Sequence, residues 1–243
     1  GKSQISTYPS NDSVTELYEA NVEVTKSLLV GVVDSDVKRL IHISTAKIYG
    51  ETSFGDNELS GKSLVNPTGH YARSKAIADE AVIEAMLQCD KQFICLRPAP
   101  IYAATSVSNL TSLLAVVKKG FPLPFKGVSN QRSFLCIHNL CDFITCVLKY
   151  EGRLAHGITI ADDLSYSTEE LIRLFADLLG VKPLLFKCPQ FPLLMASRAF
   201  GYEKELNSLF KSFRVGNAEL DENFGWKPKL ELREEFIQRV DAL

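Results

Sequence analysis

The sequence lacks long apolar runs. Its most apolar stretches, residues 110–117 and 191–195, fall well short of the ~18 residues that cross a bilayer, so no membrane-spanning partner role is expected. It also lacks an excess of basic charge. Lys and Arg number 27 against 29 Asp and Glu, a net charge of −2, which excludes the basic face of a nucleic-acid binder. Its six cysteines, Cys89, Cys95, Cys136, Cys141, Cys146 and Cys188, contain no CxxC pair. The spacing of five between Cys136, Cys141 and Cys146 lines no single face of a helix or strand, so no metal site is expected. Reduced, mostly buried thiols in a reducing compartment are predicted, hence a cytoplasmic protein. Residues 1–10 have no apolar segment of a secretory signal. Gly1-Lys2-Ser3 imitates the end of a phosphate loop, but the glycine and strand that should precede it are absent.

What remains is ordinary globular composition: 243 residues, 46% apolar and 23% charged, enough for one large α/β domain or two small ones. Asn11-Asp12-Ser13 with Glu16 reads as a capping box. Val14, Leu17, Tyr18, Asn21, Val22, Leu28, Leu29 and Val32 then form a helical stripe, with Asn21 as a buried amide. Residues 38–44 (KRLIHIS) read as a buried strand, 51–66 as a polar loop and 71–88 as a second helix. Residues 93–96 (FICL) form another strand, stopped by Arg97-Pro98. Further helices are predicted over 109–119 and 137–150, and a strand over 156–161. Ser167 and Glu170 cap a helix ending at Gly180, and helical fragments follow around 193–200, 204–212, 218–224 and 232–243. Strands alternating with helices over short connections imply a parallel sheet covered by helices.

The chemistry concentrates in three places. Ser44-Thr45 ends the first strand, Tyr71 opens the following helix, and Lys75 lies four residues later on the same helical face. Ligands of open α/β sheets sit at the carboxyl ends of strands, where a threonine hydroxyl can meet that tyrosine. A phenol is a poor base at neutral pH, and a nearby ammonium lowers its pKa. A hydroxyl beside it can hold a substrate oxygen in line while the phenol takes its proton and hydride leaves the carbon. An ordinary surface pair of Tyr71 and Lys75 is the alternative. Ser44-Thr45 ahead of the pair and Leu96-Arg97-Pro98 behind it weigh against that alternative.

The ordered set of segments resembles one family. It comprises Tyr18 to Thr25 (YEANVEVT), Ile43 to Gly50 (ISTAKIYG), Asn66-Pro67, Tyr71 to Lys75 (YARSK), Leu96-Arg97-Pro98 and Ile101-Tyr102. It continues with Ser108-Asn109-Leu110, Gly120 to Phe125 (GFPLPF), Arg132-Ser133, Asn139-Leu140 and Phe224-Gly225-Trp226. This set resembles the extended short-chain dehydrogenase/reductases, and among them the NAD-dependent nucleotide-sugar epimerases and dehydratases typified by UDP-glucose and UDP-N-acetylglucosamine 4-epimerases. The resemblance implies a Rossmann-like doubly wound parallel sheet with a smaller C-terminal α/β substrate domain. Residues 1–103 and 133–163 would belong to the NAD-binding part, and 104–132 and 164–243 to the nucleotide-sugar part.

By the same resemblance, Tyr71 would be the catalytic acid/base, Lys75 would hold the nicotinamide ribose, and Thr45 would bond the reacting sugar oxygen with Ser44 beside it. Asn21 would support that strand, and Pro98 and Ile101 would lie near the nicotinamide. Asn109 and Leu110 would meet the diphosphate, Leu123 and Phe125 would flank the base, and Arg132 would pair with a phosphate. The cofactor would be NAD; the sequence does not choose it over NADP. A homodimer through helices 14–33 and 71–88 is implied.

Departures from the family pattern also count. The GxGxxG turn that opens the family has no counterpart here, so a βαβαβ half of roughly 70–80 residues would precede Gly1. Ala103 replaces a glycine, and Gly216 and Ala218 stand where Asp and Ser are common. Dehydratases carry an Asp-Glu pair after the Ser/Thr; here Ala46 and Lys47 take those places, which argues against elimination. The expectation is therefore an NAD-dependent 4-epimerase of a UDP-hexose or UDP-N-acetylhexosamine in surface-polysaccharide sugar synthesis. The alternatives are an NAD(P)H-dependent 4-ketoreductase of a 4-keto-6-deoxy UDP-sugar and a non-catalytic fragment that binds a sugar nucleotide.

Overall fold

A computed structural model describes residues 11–53, 57–89, 91–106, 108–154, 156–199, 201 and 203–240. The chain opens with α1 (Asn11–Tyr18), a π-helical turn (Glu19–Glu23) and α2 (Val24–Val33). Then come β1 (Arg39–Ile43), a 3-10 turn (Ala46–Tyr49), α3 (Gly69–Leu87), β2 (Gln92–Pro98), β3 (Ile101–Tyr102) and α4 (Asn109–Lys118). The second half contains β4 (Arg132–Ser133), β5 (Leu135–Cys136), α5 (Ile137–Lys149), β6 (Gly157–Ile160), β7 (Ser165–Tyr166), α6 (Thr168–Leu178), α7 (Gln190–Ala199), α8 (Glu203–Ser208), α9 (Ala218–Phe224) and α10 (Leu232–Val240).

The main sheet has the order β1-β2-β6 and is parallel throughout, with Ile41 opposite Ile94 and Leu96 opposite Ile158. Parallel strands need crossover helices, and α3 and α5 supply them. Strand β2 is buried along nearly its whole length, as expected of a strand covered on both faces. Ile94 and Leu96 sit beside Ile158 and Ile160 with Phe143 and Trp226, while Phe93 and Cys95 face the other side, against Leu29, Val32, Val82 and Met86 of α2 and α3. Each such side chain contributes about 1.5–3 kcal/mol by leaving water. Phe213, Val215 and Leu220 also pack there, so the C-terminal segment returns to the first core. A second core joins α4, α6 and α10 around Tyr102, Phe175 and Phe236.

Several local expectations change. The first helix is already formed at Asn11, so Ser13 lies inside it and not at its cap. The π-helical turn shifts the helical phase after Tyr18. Leu17, Asn21, Val22, Leu29 and Val32 point inward, but Leu28 is 59% exposed. The β2 strand does not stop before Arg97; it runs through Pro98 because Asp79 neutralises the arginine, and a terminal proline costs the ladder little. The expected cap of α6 is present: Ser167 Oγ accepts from Glu170 N at 3.1 Å, and Ser167 N donates to Glu170 Oε2 at 2.7 Å. All six cysteines are free, with Cys95 and Cys136 buried and Cys141 exposed. Among the described residues no helix is long and apolar enough to cross a membrane.

Candidate active site

Strand β1 ends at Ile43 and delivers Ser44 and Thr45 to the carboxyl edge of the sheet. Ser44 N donates to Leu96 O at 2.7 Å, which ties this corner to β2. Ser44 Oγ is buried and has no hydrogen-bond partner among the described residues. Thr45 is extended, caps the 3-10 turn, and its Oγ1 accepts from Lys47 N at 3.3 Å. Tyr71 lies in the first turn of α3, on the helix face that Lys75 shares, toward the Thr45 end of β1. Burial pushes the Tyr71 phenol above its ordinary pKa, and the nearby Thr45 side chain pulls the other way.

Lys75 lies one turn on, only 9% exposed, and its Nζ donates to Ile43 O at 2.6 Å. The ammonium is thus anchored to the end of β1 by one of its three donors. Burial pulls Lys75 below the usual lysine range, with Asp79 opposing.

A buried network that the motif reading missed lies behind these residues. Arg97 Nε donates to Asp79 Oδ2 at 2.9 Å, and the guanidinium also donates to Tyr49 Oη at 2.5 Å. His42 Nε2 is 3.4 Å from Asp79 Oδ1. Burial and the nearby Lys75 hold His42 down at a pKa of about 4, so it is neutral at physiological pH. Asp79 follows Lys75 by four residues, and that spacing was the available sequence signal. Among the described residues Asn21 bonds to α3, donating from Nδ2 to Ser74 Oγ at 3.0 Å, while Ser74 Oγ donates to Tyr71 O at 2.9 Å; the expected support was of β1.

A cavity of about 300 Å³ opens beside this corner. It is lined by Lys47, Ile101, Asn109, Leu110, Arg132 and Thr168, among others. Ser108 caps α4 through a box with Thr111, which fixes Asn109 and Leu110 in its first turn. Arg132 is held by carbonyls: its Nη1 donates to Ser208 O at 2.7 Å and to Lys211 O at 3.2 Å. Ile101 is 40% exposed at the mouth, and Pro98 ends β2 opposite Ile160. Leu123 and Phe125 do not line this cavity. Leu123 bridges to Leu185, and Phe125 packs on Phe210 at 5.5 Å between ring centroids in the second core. Lys47 was read only as a departure from the dehydratase pattern, yet it joins the two regions: its backbone bonds Thr45 and the residue lines the cavity. Among the described residues no group of His, Cys, Asp or Glu is arranged to hold a metal ion.

A parallel α/β sheet with a hydroxyl, a tyrosine and a lysine gathered at one strand end defines a nucleotide-dependent oxidoreductase type of site. The family model described as "NAD dependent epimerase/dehydratase family" matches residues 4–161, and the chain belongs to that family, whose enzymes are of the extended short-chain dehydrogenase/reductase type. A UDP-glucose 4-epimerase of Vibrio cholerae is 28% identical over 232 residues, covering 95% of this chain and 71% of the relative. A solved UDP-glucose 4-epimerase of Thermotoga maritima, with UDP-glucose, superposes with a TM-score of 0.74 at 15% identity, over 99% of this chain and 74% of the other. A dTDP-glucose 4,6-dehydratase of Streptomyces venezuelae, with NAD bound, gives 0.73 at 20% identity, over 99% and 70%. The fold is therefore Rossmann-like, as expected from the sequence.

Proposed function

We propose that this protein is an NAD-dependent 4-epimerase of a UDP-hexose or UDP-N-acetylhexosamine, serving the synthesis of surface-polysaccharide sugars in the cytoplasm. The observation that carries the reading is the packing of the α3 face that bears Tyr71 and Lys75 on the Thr45 end of β1, where the buried Lys75 Nζ donates to Ile43 O at 2.6 Å. The Vibrio relative, named for the same reaction, adds support, and the replacement of the dehydratase acid pair by Ala46 and Lys47 favours epimerisation over elimination.

The residues fit NAD. Ser44 Oγ is a buried hydroxyl without a partner among the described residues, and the Lys75 ammonium lies on the adjoining helix, both where open α/β sheets take their ligands. Ser44 and Lys75 would hold the ribose side of the cofactor, with Pro98 and Ile101 near its nicotinamide. NAD, when bound, supplies the acceptor and donor of hydride at C4 of the sugar. Thr45 holds the 4-oxygen and Tyr71 moves its proton. Arg132, Asn109 and Leu110 take the diphosphate in the cavity that they share. Leu123 and Phe125 remain proposed neighbours of the base, and residues 104–132 with 164–243 the proposed sugar-nucleotide part beside 1–103 with 133–163.

A homodimer is proposed through helices 14–33 and 71–88, where Val24, Leu28, Val30, Ile77 and Leu87 present exposed apolar side chains. Monomonomeric sizing at micromolar concentration would contradict it.

One observation favours a second reading. The Tyr71 phenol, raised by burial, is a proton donor at neutral pH, and reduction of a 4-ketone needs only that direction. The test is incubation with NAD and UDP-N-acetylglucosamine or UDP-glucose, followed by NMR. The 4-epimer is expected, without net formation of reduced cofactor. Stoichiometric consumption of NADH or NADPH by a 4-keto-6-deoxy UDP-sugar, with no epimer formed, would establish the reductase instead.

A further inference from the structure

Two cations line the cavity, Lys47 and Arg132. Among the described residues the Arg132 guanidinium meets backbone carbonyls and no carboxylate, so no contact there neutralises its charge. The Lys47 ammonium has no hydrogen-bond or ion-pair partner among the described residues; only its backbone N–H is engaged, on Thr45 Oγ1. Glu51 is the acid whose charge reaches both, but it is an exposed loop residue and pairs with neither. Burial pulls both cations below their ordinary pKa values, and Arg132 adds repulsion at Lys47. A half-buried ammonium beside a guanidinium is costly unless an anion meets them. Apolar neighbours such as Leu110, Phe134 and Leu171 make up much of the rest of the cavity wall.

We infer that Lys47 and Arg132 form a two-cation clamp for the diphosphate of the ligand, with Lys47 as an additional binding and positioning residue. This rests on the sugar-nucleotide reading above. A diphosphate offers separate anionic groups to the two cations, and each contact is a charge-assisted hydrogen bond. The clamp has a consequence for the reaction. Because Lys47 N also bonds Thr45 Oγ1, gripping the diphosphate sets the position of the hydroxyl that holds the sugar oxygen.

The test is calorimetric titration of the protein with UDP, UMP and uridine, for the wild type and for Lys47→Met and Lys47→Arg. Lys47→Met removes the charge and keeps the length, and loss of an unpaired buried charge leaves the fold intact, which circular dichroism checks. UDP affinity is expected to fall about tenfold or more in Lys47→Met, the scale of one charge-assisted bond. UMP should lose less, uridine nothing, and Lys47→Arg should recover most of the UDP affinity. UDP affinity within twofold of the wild type in Lys47→Met would overturn the clamp and leave the proposed function standing. So would an equal loss for uridine, which marks general damage to the pocket. Wild-type protein that fails to bind UDP at millimolar concentration would overturn the sugar-nucleotide reading and the clamp with it.

Discussion

Arg97 and Asp79 form a buried ion pair, with Nε 2.9 Å from Oδ2, and it fastens the C-terminal end of β2 to the helix that carries Tyr71 and Lys75. The pair is bounded by Tyr49 on one side and His42 on the other. It is the means by which a charged residue continues a strand that is otherwise apolar.

Removal of one partner is expected to be costly. Asp79→Asn leaves the Arg97 charge buried without its counterion, for a loss of about 3–5 kcal/mol. Urea unfolding measures this, and a loss below about 1 kcal/mol would show that the pair is not holding the corner.

His42 should make stability pH-dependent. Its folded pKa is about 4 against 6.5 for the ordinary group, so the unfolded chain binds a proton that the folded chain refuses between those values. Its contribution is fully present above pH 6.5 and is lost as pH falls toward 4, by about 1.4 kcal/mol per pH unit. His42→Gln should flatten the pH profile by one proton over that window. Parallel profiles for the two proteins would contradict the assignment.

The amide of Asn21 should matter through α3. Asn21→Ala removes the bond to Ser74, which in turn bonds the Tyr71 carbonyl, and is expected to cost about 1–3 kcal/mol of stability. Ser74→Ala should give a similar loss, and the double variant less than the sum, because both changes break one chain of bonds. Full additivity would mean that the two residues act separately.

The parallel sheet was legible because its strands are short apolar runs between helices of clear period, and the Ser167 cap because its box is local. The active corner was legible as residue types: Thr45 caps the turn after β1, and Lys75 reaches Ile43 O from the helix whose first turn carries Tyr71. Their partners were not legible. An i, i+4 spacing puts Tyr71 and Lys75 on one face, yet whether the ammonium turns to the phenol or to the Ile43 carbonyl depends on how α3 sits on β1. The Asp79–Arg97 pair joins residues 18 apart in sequence on different elements, so Arg97 read locally as a stop. The π-helical turn at Glu19–Glu23 has no local signature, and it put Leu28 outside the expected stripe. Leu123 and Phe125 carry the side chains of a base-flanking pair, and both also pack in the second core, a placement that their residue types alone do not distinguish from a ligand contact.

The central claim is that Tyr71 moves the proton of the reacting hydroxyl. Its most direct test is Tyr71→Phe, assayed for 4-epimer formation with NAD and titrated in parallel with UDP. Turnover should fall at least about 100-fold, the scale of a positioned acid/base, while UDP affinity stays at the wild-type value. Unchanged turnover in a variant that still binds UDP would contradict the account.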